Sequence, residues 1–98
     1  MRIERDPDFA ADVRRQIAHA IQEGGVPWVV RLQEDLAEVE RILAEFPQAG
    51  RELRLGRRAT IRKLRLRRAP FVVWYQIGSR GKTLVLVRLF HVRQRVSD

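Results

Sequence analysis

Residues 71–77, with the sequence FVVWYQI, decide the fold of this 98-residue chain. They are rich in β-branched and aromatic residues, which favour a pleated and largely buried strand. Gly78–Lys82 follows with the composition of a hairpin loop, and Thr83–Val92 returns as a partner strand. Upstream, Thr60–Arg68 has a period of two and is separated from the central stretch by a proline-containing break. The second half of the chain is therefore predicted to form a three-stranded antiparallel meander.

The first half has the period of helices. Met1–Arg5 is a short candidate strand, and Asp6 supplies an N-cap carboxylate for a helix that ends near Gln22. A second helix begins near Pro27 after a glycine pair and ends at Phe46, with apolar residues three or four apart. This helical hairpin is expected to cover one face of the sheet. The predicted class is α+β, in the order β-α-α-β-β-β.

Length and composition exclude several classes of protein. Ninety-eight residues fit one domain, 1–98, and a hydrophobic share of 45% is enough for a core. The absence of cysteine excludes disulfide scaffolds, Cys-ligated zinc and cysteine nucleophiles. The apolar runs fall far short of the roughly 20 residues of a membrane span, and the N-terminus is charged where a secretory signal would be apolar. We expect a cytoplasmic protein with no membrane contact.

The net charge of +8 is distributed unevenly along the chain. Residues 1–50 hold 6 Lys+Arg and 10 Asp+Glu, net −4, whereas residues 51–98 hold 14 and 2, net +12. Eighteen of the twenty basic residues are arginine, whose planar donors suit phosphate and carboxylate groups. An acidic helical hairpin is thus joined to a strongly basic sheet, which favours an anionic partner.

The basic residues fall into a pattern along the first predicted meander strand. Lys63, Arg65 and Arg67 alternate on one side and would stand in a row about 7 Å apart. Such a row is either solvated or bound to an anionic partner, which could be a nucleic-acid backbone or an acidic protein segment. The ordinary alternative is a solvated charged strand.

A few other side chains could carry chemistry. His91 ends the last predicted strand beside Arg88 and Arg93, and it is either structural or a general base. Trp74 and Tyr75 are neighbours in one strand and must point to opposite faces, so one of them belongs to the core. No phosphate-binding loop and no metal-ligand spacing occur, so no cofactor and no metal are expected.

Two further interpretations concern the acidic helices. Asp12 is placed off the apolar stripe of the first helix, on its polar side. The carboxylates of the second helix are interpreted as a solvated flank without chemistry. They are Glu34, Asp35, Glu38, Glu40 and Glu45.

The order of elements and the later motifs together resemble the RelE/ParE toxins of bacterial type II toxin–antitoxin systems. The resemblance covers nearly the whole chain. It rests on residues 44–51 (AEFPQAGR), 62–66 (RKLRL), 69–77 (APFVVWYQI) and 87–93 (VRLFHVR), in that order and spacing. The resemblance implies that the chain is the toxin of a plasmid-stabilisation system. It also implies that an antitoxin holds the toxin inactive in a hetero-oligomer.

The family has two branches, which imply different targets. The branch that poisons DNA gyrase has a Pro-aromatic-x-apolar-aromatic-Tyr pattern, matched by Pro70–Tyr75, and a Leu-His-x-Arg ending, approximated by Phe90–Arg93. The branch that cleaves mRNA on the ribosome commonly has an arginine where this chain has Val72. The resemblance therefore favours a ParE-like toxin that binds gyrase without catalysis of its own.

The alternatives stay open at this point. As a ribosome-dependent endoribonuclease, the chain would use Lys63 and Arg65 against RNA, with His91, Arg88 and Arg93 as catalytic groups. As a non-toxic module, it would only bind nucleic acid or protein through its basic half.

The resemblance also implies where partners bind. Target contacts are assigned to Lys63, Arg65 and Arg67 on the predicted basic row. An acidic antitoxin segment that folds on binding would neutralise the basic half. Its contacts are assigned to Arg62, Arg68, Trp74 and Tyr75.

Overall fold

The computed structural model describes residues 1–55, 59–78 and 80–93. The elements along the chain are β1 (Arg2–Arg5), α1 (Pro7–Gln22), α2 (Val26–Glu45), β2 (Arg51–Leu55), β3 (Ala59–Arg65), β4 (Phe71–Ile77) and β5 (Thr83–His91). The strands form one sheet in the order β1-β5-β4-β3-β2. Neighbours from β2 to β5 are antiparallel, and β1 joins β5 in parallel. The predicted α+β class is confirmed, with a mixed sheet.

The helical hairpin begins and ends where its local sequence predicts. The Asp6 carboxylate accepts a hydrogen bond from the Asp8 N–H at 2.8 Å, which caps α1. Between the helices Gly24 has φ of +75°, a left-handed conformation that glycine adopts without strain. Pro27 lies in the first turn of α2, where its missing N–H costs nothing.

The sheet differs from the prediction at two places. The segment Arg51–Leu55 forms an additional edge strand, β2, which pairs with β3 over five positions. β3 ends at Arg65, three residues before the predicted end, because the Leu66 N–H donates to the Phe71 carbonyl and closes a tight connection to β4. The meander therefore has four strands, and its central strand β4 has the predicted bounds.

The strand β5 is only partly covered at its outer side. β1 pairs with Thr83–Leu86 and no further, since the Asp6 N–H donates to the Leu86 carbonyl and the chain then enters α1. A bulge interrupts the β4–β5 register between Trp74 and Tyr75. Among the described residues, the second half of β5 thus forms an open edge, and a bulge commonly re-aims side chains in such a position.

The two faces of the sheet are packed very differently. Helices α1 and α2 cover one face, termed the helix face, and enclose the main core. That core contains Phe9, Val13, Leu32, Leu36, Val39, Leu43, Leu66, Ala69, Phe71, Val73, Tyr75, Leu84, Leu86 and Leu89. The other face, termed the open face, carries a small cluster of Leu53, Ile61 and Trp74 with Val72, Val87 and Phe90 packed beside it.

Candidate functional site

The open face carries two of the three predicted target contacts. Lys63 and Arg65 alternate along β3 with Leu64, which packs toward the main core, so both belong to the open face. Their partners on β4 are Trp74 and Val72. Within the described ranges, neither cation has a carboxylate at ion-pair distance. Both are therefore available to an external anion.

Arg67, the third member of the predicted row, lies elsewhere. β3 ends at Arg65, and the chain bends through residues 67–70. The Arg67 Nη1 lies 3.8 Å from the Glu38 Oε2 on α2, at the exposed rim. The predicted row of three was therefore wrong at this position, because the strand geometry that would align Arg67 with Arg65 has already ended.

Arg62 and Tyr75 fasten the connection between α2 and β2. Tyr75 is fully buried, and its hydroxyl accepts from the Gly50 N–H at 2.8 Å and donates to the Pro47 carbonyl at 2.7 Å. The Arg62 Nη1 donates to the Gly50 carbonyl at 2.8 Å. Burial raises the pKa of Tyr75, and the Gly50 N–H offsets this only in part. We term this arrangement the tyrosine latch.

Gly50 is required for the tyrosine latch. A Cβ at this position would lie 2.6 Å from the Tyr75 Cε1 and 2.8 Å from the Lys63 carbonyl oxygen. Such contacts are closer than side-chain and backbone atoms can approach, so the hydroxyl reaches the backbone only because position 50 has no side chain.

Asp12 on α1 is buried and fastens the open edge of β5. Its carboxylate accepts from the Leu89 N–H at 2.9 Å and from the Arg88 Nε at 2.7 Å. Arg15 adds a third donor at 3.2 Å. Burial alone would raise the pKa of Asp12, but the donated hydrogen bonds outweigh it and hold that pKa below its usual value. Arg88 is thus engaged inside the chain.

Asp35 on α2 plays the same part at the connection between β3 and β4. Its carboxylate accepts from the backbone N–H groups of Arg68 and Ala69 at 2.8 and 2.7 Å, and from the Arg68 Nε at 3.2 Å. Burial by itself would raise the pKa of Asp35, yet these bonds lower it. Arg68 also contacts Glu34 at 3.3 Å. We term these two arrangements the aspartate clasps.

The aspartate clasps correct the interpretation of the acidic helices. Asp12 and Asp35 are each 2% exposed, so neither belongs to a solvated surface. Each follows a buried apolar residue by three positions, Phe9 and Leu32, and therefore lies on the apolar side of its helix. An aspartate within an apolar stripe was the signal that sequence reasoning missed.

Trp74 is at the centre of the open-face cluster. Its side chain is 9% exposed, and its ring meets the Phe90 ring edge-on with centroids 4.9 Å apart. Tyr75, the next residue, lies in the main core on the helix face. The prediction that the two aromatic residues point to opposite faces is confirmed. The Pro70–Tyr75 motif is thereby explained as the alternation of a central strand buried on both faces.

His91 lies on the helix face, beside a groove. Its ring meets the Phe71 ring edge-on at 5.3 Å, and its Nδ1 accepts from the Arg93 N–H at 3.1 Å. It lines a groove of about 550 Å³ together with residues of both helices, including His19 and Trp28. From the sequence, Trp28 is interpreted as a packing residue or an interface anchor, and the groove itself is not predicted.

The sheet separates the residues of the predicted ribonuclease site. Lys63 and Arg65 are on the open face, whereas His91 packs against Phe71 on the helix face. His91 therefore does not stand beside Lys63 and Arg65, and Arg88, which the strand register places opposite Trp74, is engaged by Asp12.

In the part of the chain that the structure describes, no group of three or more His, Asp or Glu side chains could hold a metal ion. Neither described helix combines the length and the apolar character needed to cross a bilayer.

Comparisons with known proteins agree with this architecture. Residues 3–96 match the family model of the ParE toxin of the type II toxin–antitoxin system parDE. No curated protein matches. Among solved structures, the chain is similar to one described as the chromosomal ParDE TA system from P. aeruginosa, with a TM-score of 0.72 and 21% identity. The match covers 93% of this chain and 95% of that one, which establishes the fold.

Proposed function

This chain belongs to the ParE toxin family of type II toxin–antitoxin systems, and on that premise we propose that it stops growth by binding DNA gyrase through the open face. The supporting observation is the pair Lys63 and Arg65, whose strand partners Trp74 and Val72 belong to the apolar cluster of the open face. Neither cation has a carboxylate among the described residues at ion-pair distance. Cations beside buried aromatic side chains are typical of protein-binding surfaces.

The proposal is one of binding rather than catalysis. A general base must reach the proton that it removes, within about 3 Å or through one water. His91, the candidate base, lies on the helix face, across the sheet from Lys63. In addition, Val72 stands opposite Arg65 where the ribonuclease branch has an arginine, so the phosphate-binding set would lack one member. The ParE-like motif at Pro70–Tyr75 supports gyrase as the target.

An acidic antitoxin is the second proposed partner. The excess of twelve positive charges in residues 51–98 favours association with an acidic segment. Membership of the family supports a toxin–antitoxin hetero-oligomer in the cytoplasm as part of this proposal. Of the four predicted antitoxin contacts, Arg62 and Arg68 already bind backbone or carboxylate groups, and Trp74 and Tyr75 are buried. Contact between these four residues and an antitoxin stays a prediction. It requires the antitoxin to bind while the internal contacts of the four residues remain in place.

Gyrase supercoiling and cleavage assays test the target. Purified protein is titrated against gyrase on relaxed plasmid, with a type I topoisomerase as the control enzyme. We expect supercoiling to fall and cleaved DNA to accumulate as the chain approaches stoichiometric excess, with the control enzyme unaffected. No effect at excess would contradict the proposal.

A translation reaction tests the alternative target. Primer extension on mRNA would reveal cleavage on the ribosome, and a loss of that cleavage in a His91→Ala, Lys63→Ala double variant would assign the chain to the ribonuclease branch instead. We expect no cleavage in either protein.

A further inference from the structure

The strand β2 forms an open edge of the sheet among the residues that the structure describes. It is the last strand in the sheet order, and within the described ranges it pairs with β3 alone. An open edge can accept a further strand, and proteins usually prevent this with charged side chains, proline or a bulge. The sequence of β2 is RELRL, which contains charges but no proline. The arrangement of these charges therefore decides which strand could be added.

The hydrogen-bond pattern shows which backbone groups of β2 point to that edge. The Leu66 N–H donates to the Phe71 carbonyl, so these residues form a hydrogen-bonded pair between the two neighbouring chain segments. Bonding directions alternate along an antiparallel strand, and Ile61, five positions before Leu66, therefore turns its N–H and carbonyl toward β2. Its partner in β2 is Leu53. The backbone groups of Leu53 are thus directed into the sheet.

Glu52 and Arg54 flank Leu53, so their backbone N–H and carbonyl groups point outward, away from β3. Their side chains share one face, where the Arg54 Nε lies 3.3 Å from the Glu52 Oε1. The Glu52 Oε2 also lies 3.7 Å from the Arg62 Nη2. The side chains of Arg54 and Glu52 are 83% and 40% exposed, so both can meet an added strand. The edge therefore presents one acidic and one basic residue at its two outward-facing positions.

A second copy of the same strand fits this edge in one antiparallel register. A two-fold arrangement centred on Leu53 places Glu52 of each copy opposite Arg54 of the other, at hydrogen-bonded positions. Opposite charges at such positions stabilise strand pairing, and like charges oppose it. Moving the centre to Glu52 would place the two glutamates opposite each other, and moving it to Arg54 would do the same with the two arginines. The charges thus select a single register.

The same register joins the apolar clusters of two open faces. Leu53 is 6% exposed and belongs to the cluster with Ile61 and Trp74. In the two-fold arrangement, the Leu53 residues of the two copies form a non-hydrogen-bonded pair, in which side chains come closest. The five strands of one copy then continue into the five strands of the other. The apolar clusters of both copies would form one strip along the combined open face.

The open part of β5 is less suited to such pairing. There the Asp12 Oδ2 already accepts a hydrogen bond from the Leu89 N–H at 2.9 Å, so a side chain occupies one of the outward-facing backbone positions. Among the described residues, no side chain bonds to the backbone of Glu52 or Arg54 in this way. β2 is therefore the edge that a second copy can extend.

We propose that two copies of this chain associate through antiparallel pairing of their β2 strands, with Glu52 and Arg54 determining the register. The pairing does not depend on the target of the toxin. Two strands of five residues bury far less surface than a standard interface, so the dimer is weak, with a dissociation constant on the order of 100 μM.

Sedimentation velocity of the full chain over a range of concentrations tests the pairing. A buffer with about 0.15 M salt limits the repulsion of two basic chains to about 8 Å. We expect the average mass to rise from one copy toward two as concentration increases. Glu52→Arg and Arg54→Glu each place like charges at both contacts, and each should weaken association at least about tenfold. An equimolar mixture of the two variants restores both opposite-charge pairs and should associate as strongly as the wild type.

Two kinds of control separate the edge from net charge and from folding. Glu45→Arg and Arg14→Glu make the same changes of net charge at exposed positions outside β2, and they should leave association unchanged. Arg54→Pro removes an outward-facing N–H, which an edge strand tolerates. This variant should keep the circular dichroism spectrum of the wild type and lose association.

Several results would overturn the proposal. One is a chain that stays monomeric up to about 1 mM. Equal association of the wild type and both charge-reversal variants would leave the edge to a strand of another protein. A mixture that associates no better than either variant alone, or controls that weaken association as much, would show that net charge and not the register is responsible. Each result is independent of gyrase inhibition, which the proposed function assigns to Lys63 and Arg65.

Discussion

The helix face and the open face of the same sheet are built from alternating residues of the same strands, yet they are packed very differently. The helix face has fourteen buried core residues, two helices and the two aspartate clasps. The described part of the open face has three buried residues, and Lys63 and Arg65 on the same face have no carboxylate among the described residues at ion-pair distance. Burial is concentrated on the helix face, and the open face carries the two cations on which the proposed function rests.

The largest expected effect is the loss of a main-core side chain. Leu86 is fully buried on the helix face, and Leu86→Ala should lower the free energy of unfolding by about 2–5 kcal/mol. Leu53 lies on the open face in the edge strand β2, where neighbouring residues can relax. Leu53→Ala should therefore lower the free energy of unfolding by at most about 2 kcal/mol. Urea unfolding followed by circular dichroism gives both values. Equal losses would contradict the difference between the faces.

The aspartate clasps come next in size. Asp35→Ala removes the acceptor of two backbone N–H groups and leaves buried donors unsatisfied, so we expect a loss of about 2–3 kcal/mol. Glu34→Ala is the matched control, since Glu34 contacts the same Arg68 but is exposed; its effect should stay below about 0.5 kcal/mol. A small effect at Asp35 would mean that the carboxylate is dispensable for the helix face.

The tyrosine latch should contribute somewhat less. Tyr75→Phe keeps the ring and removes the hydroxyl, which leaves the buried Gly50 N–H without its acceptor. We expect a loss of about 1–2 kcal/mol in urea unfolding. Gly50→Ala checks the geometry, because its methyl group would collide with the Tyr75 ring. The account requires Gly50→Ala to destabilise the protein even though alanine is the better residue for most backbones.

Acid should weaken the helix face through the two clasps. Because the folded-state pKa values of Asp12 and Asp35 lie below the usual 3.8, their contribution is complete above the unfolded pKa and is lost as pH falls toward the folded values. Stability should therefore be nearly flat between about pH 5 and 8 and fall below about pH 4. A Asp12→Asn, Asp35→Asn double variant should show a shallower acid limb in pH-dependent unfolding. An unchanged limb would assign the acid sensitivity to other carboxylates.

Much of the helix face could be predicted from the sequence. The capping aspartate Asp6, the glycines after α1 and the strand Phe71–Ile77 all act through neighbours a few residues away, so local rules found them. The strand Arg51–Leu55 was not predicted, because it is an edge strand within residues 51–68. That segment holds nine basic residues, and their charge conceals the alternation of the strand.

The functional surfaces could be predicted only in part. Lys63 and Arg65 were found because strand alternation is local, and Arg67 was misplaced because the end of β3 depends on a hydrogen bond between Leu66 and Phe71. Asp12 contacts Arg88 and Leu89, which lie 76 and 77 residues away in sequence. Sequence periodicity predicts only local structure and gives no information about contacts at that separation. The same holds for Trp28 and His91, which only the tertiary fold brings to one groove.

The smallest expected change in stability goes with the largest expected change in function, and it tests the central claim most directly. In one preparation of the Lys63→Ala, Arg65→Ala variant, we would measure the free energy of unfolding and the concentration that halves gyrase supercoiling. The account predicts a stability within about 0.5 kcal/mol of the wild type and an inhibitory concentration at least about tenfold higher. Inhibition equal to that of the wild type, with stability intact, would contradict the claim that the open face is the toxic surface.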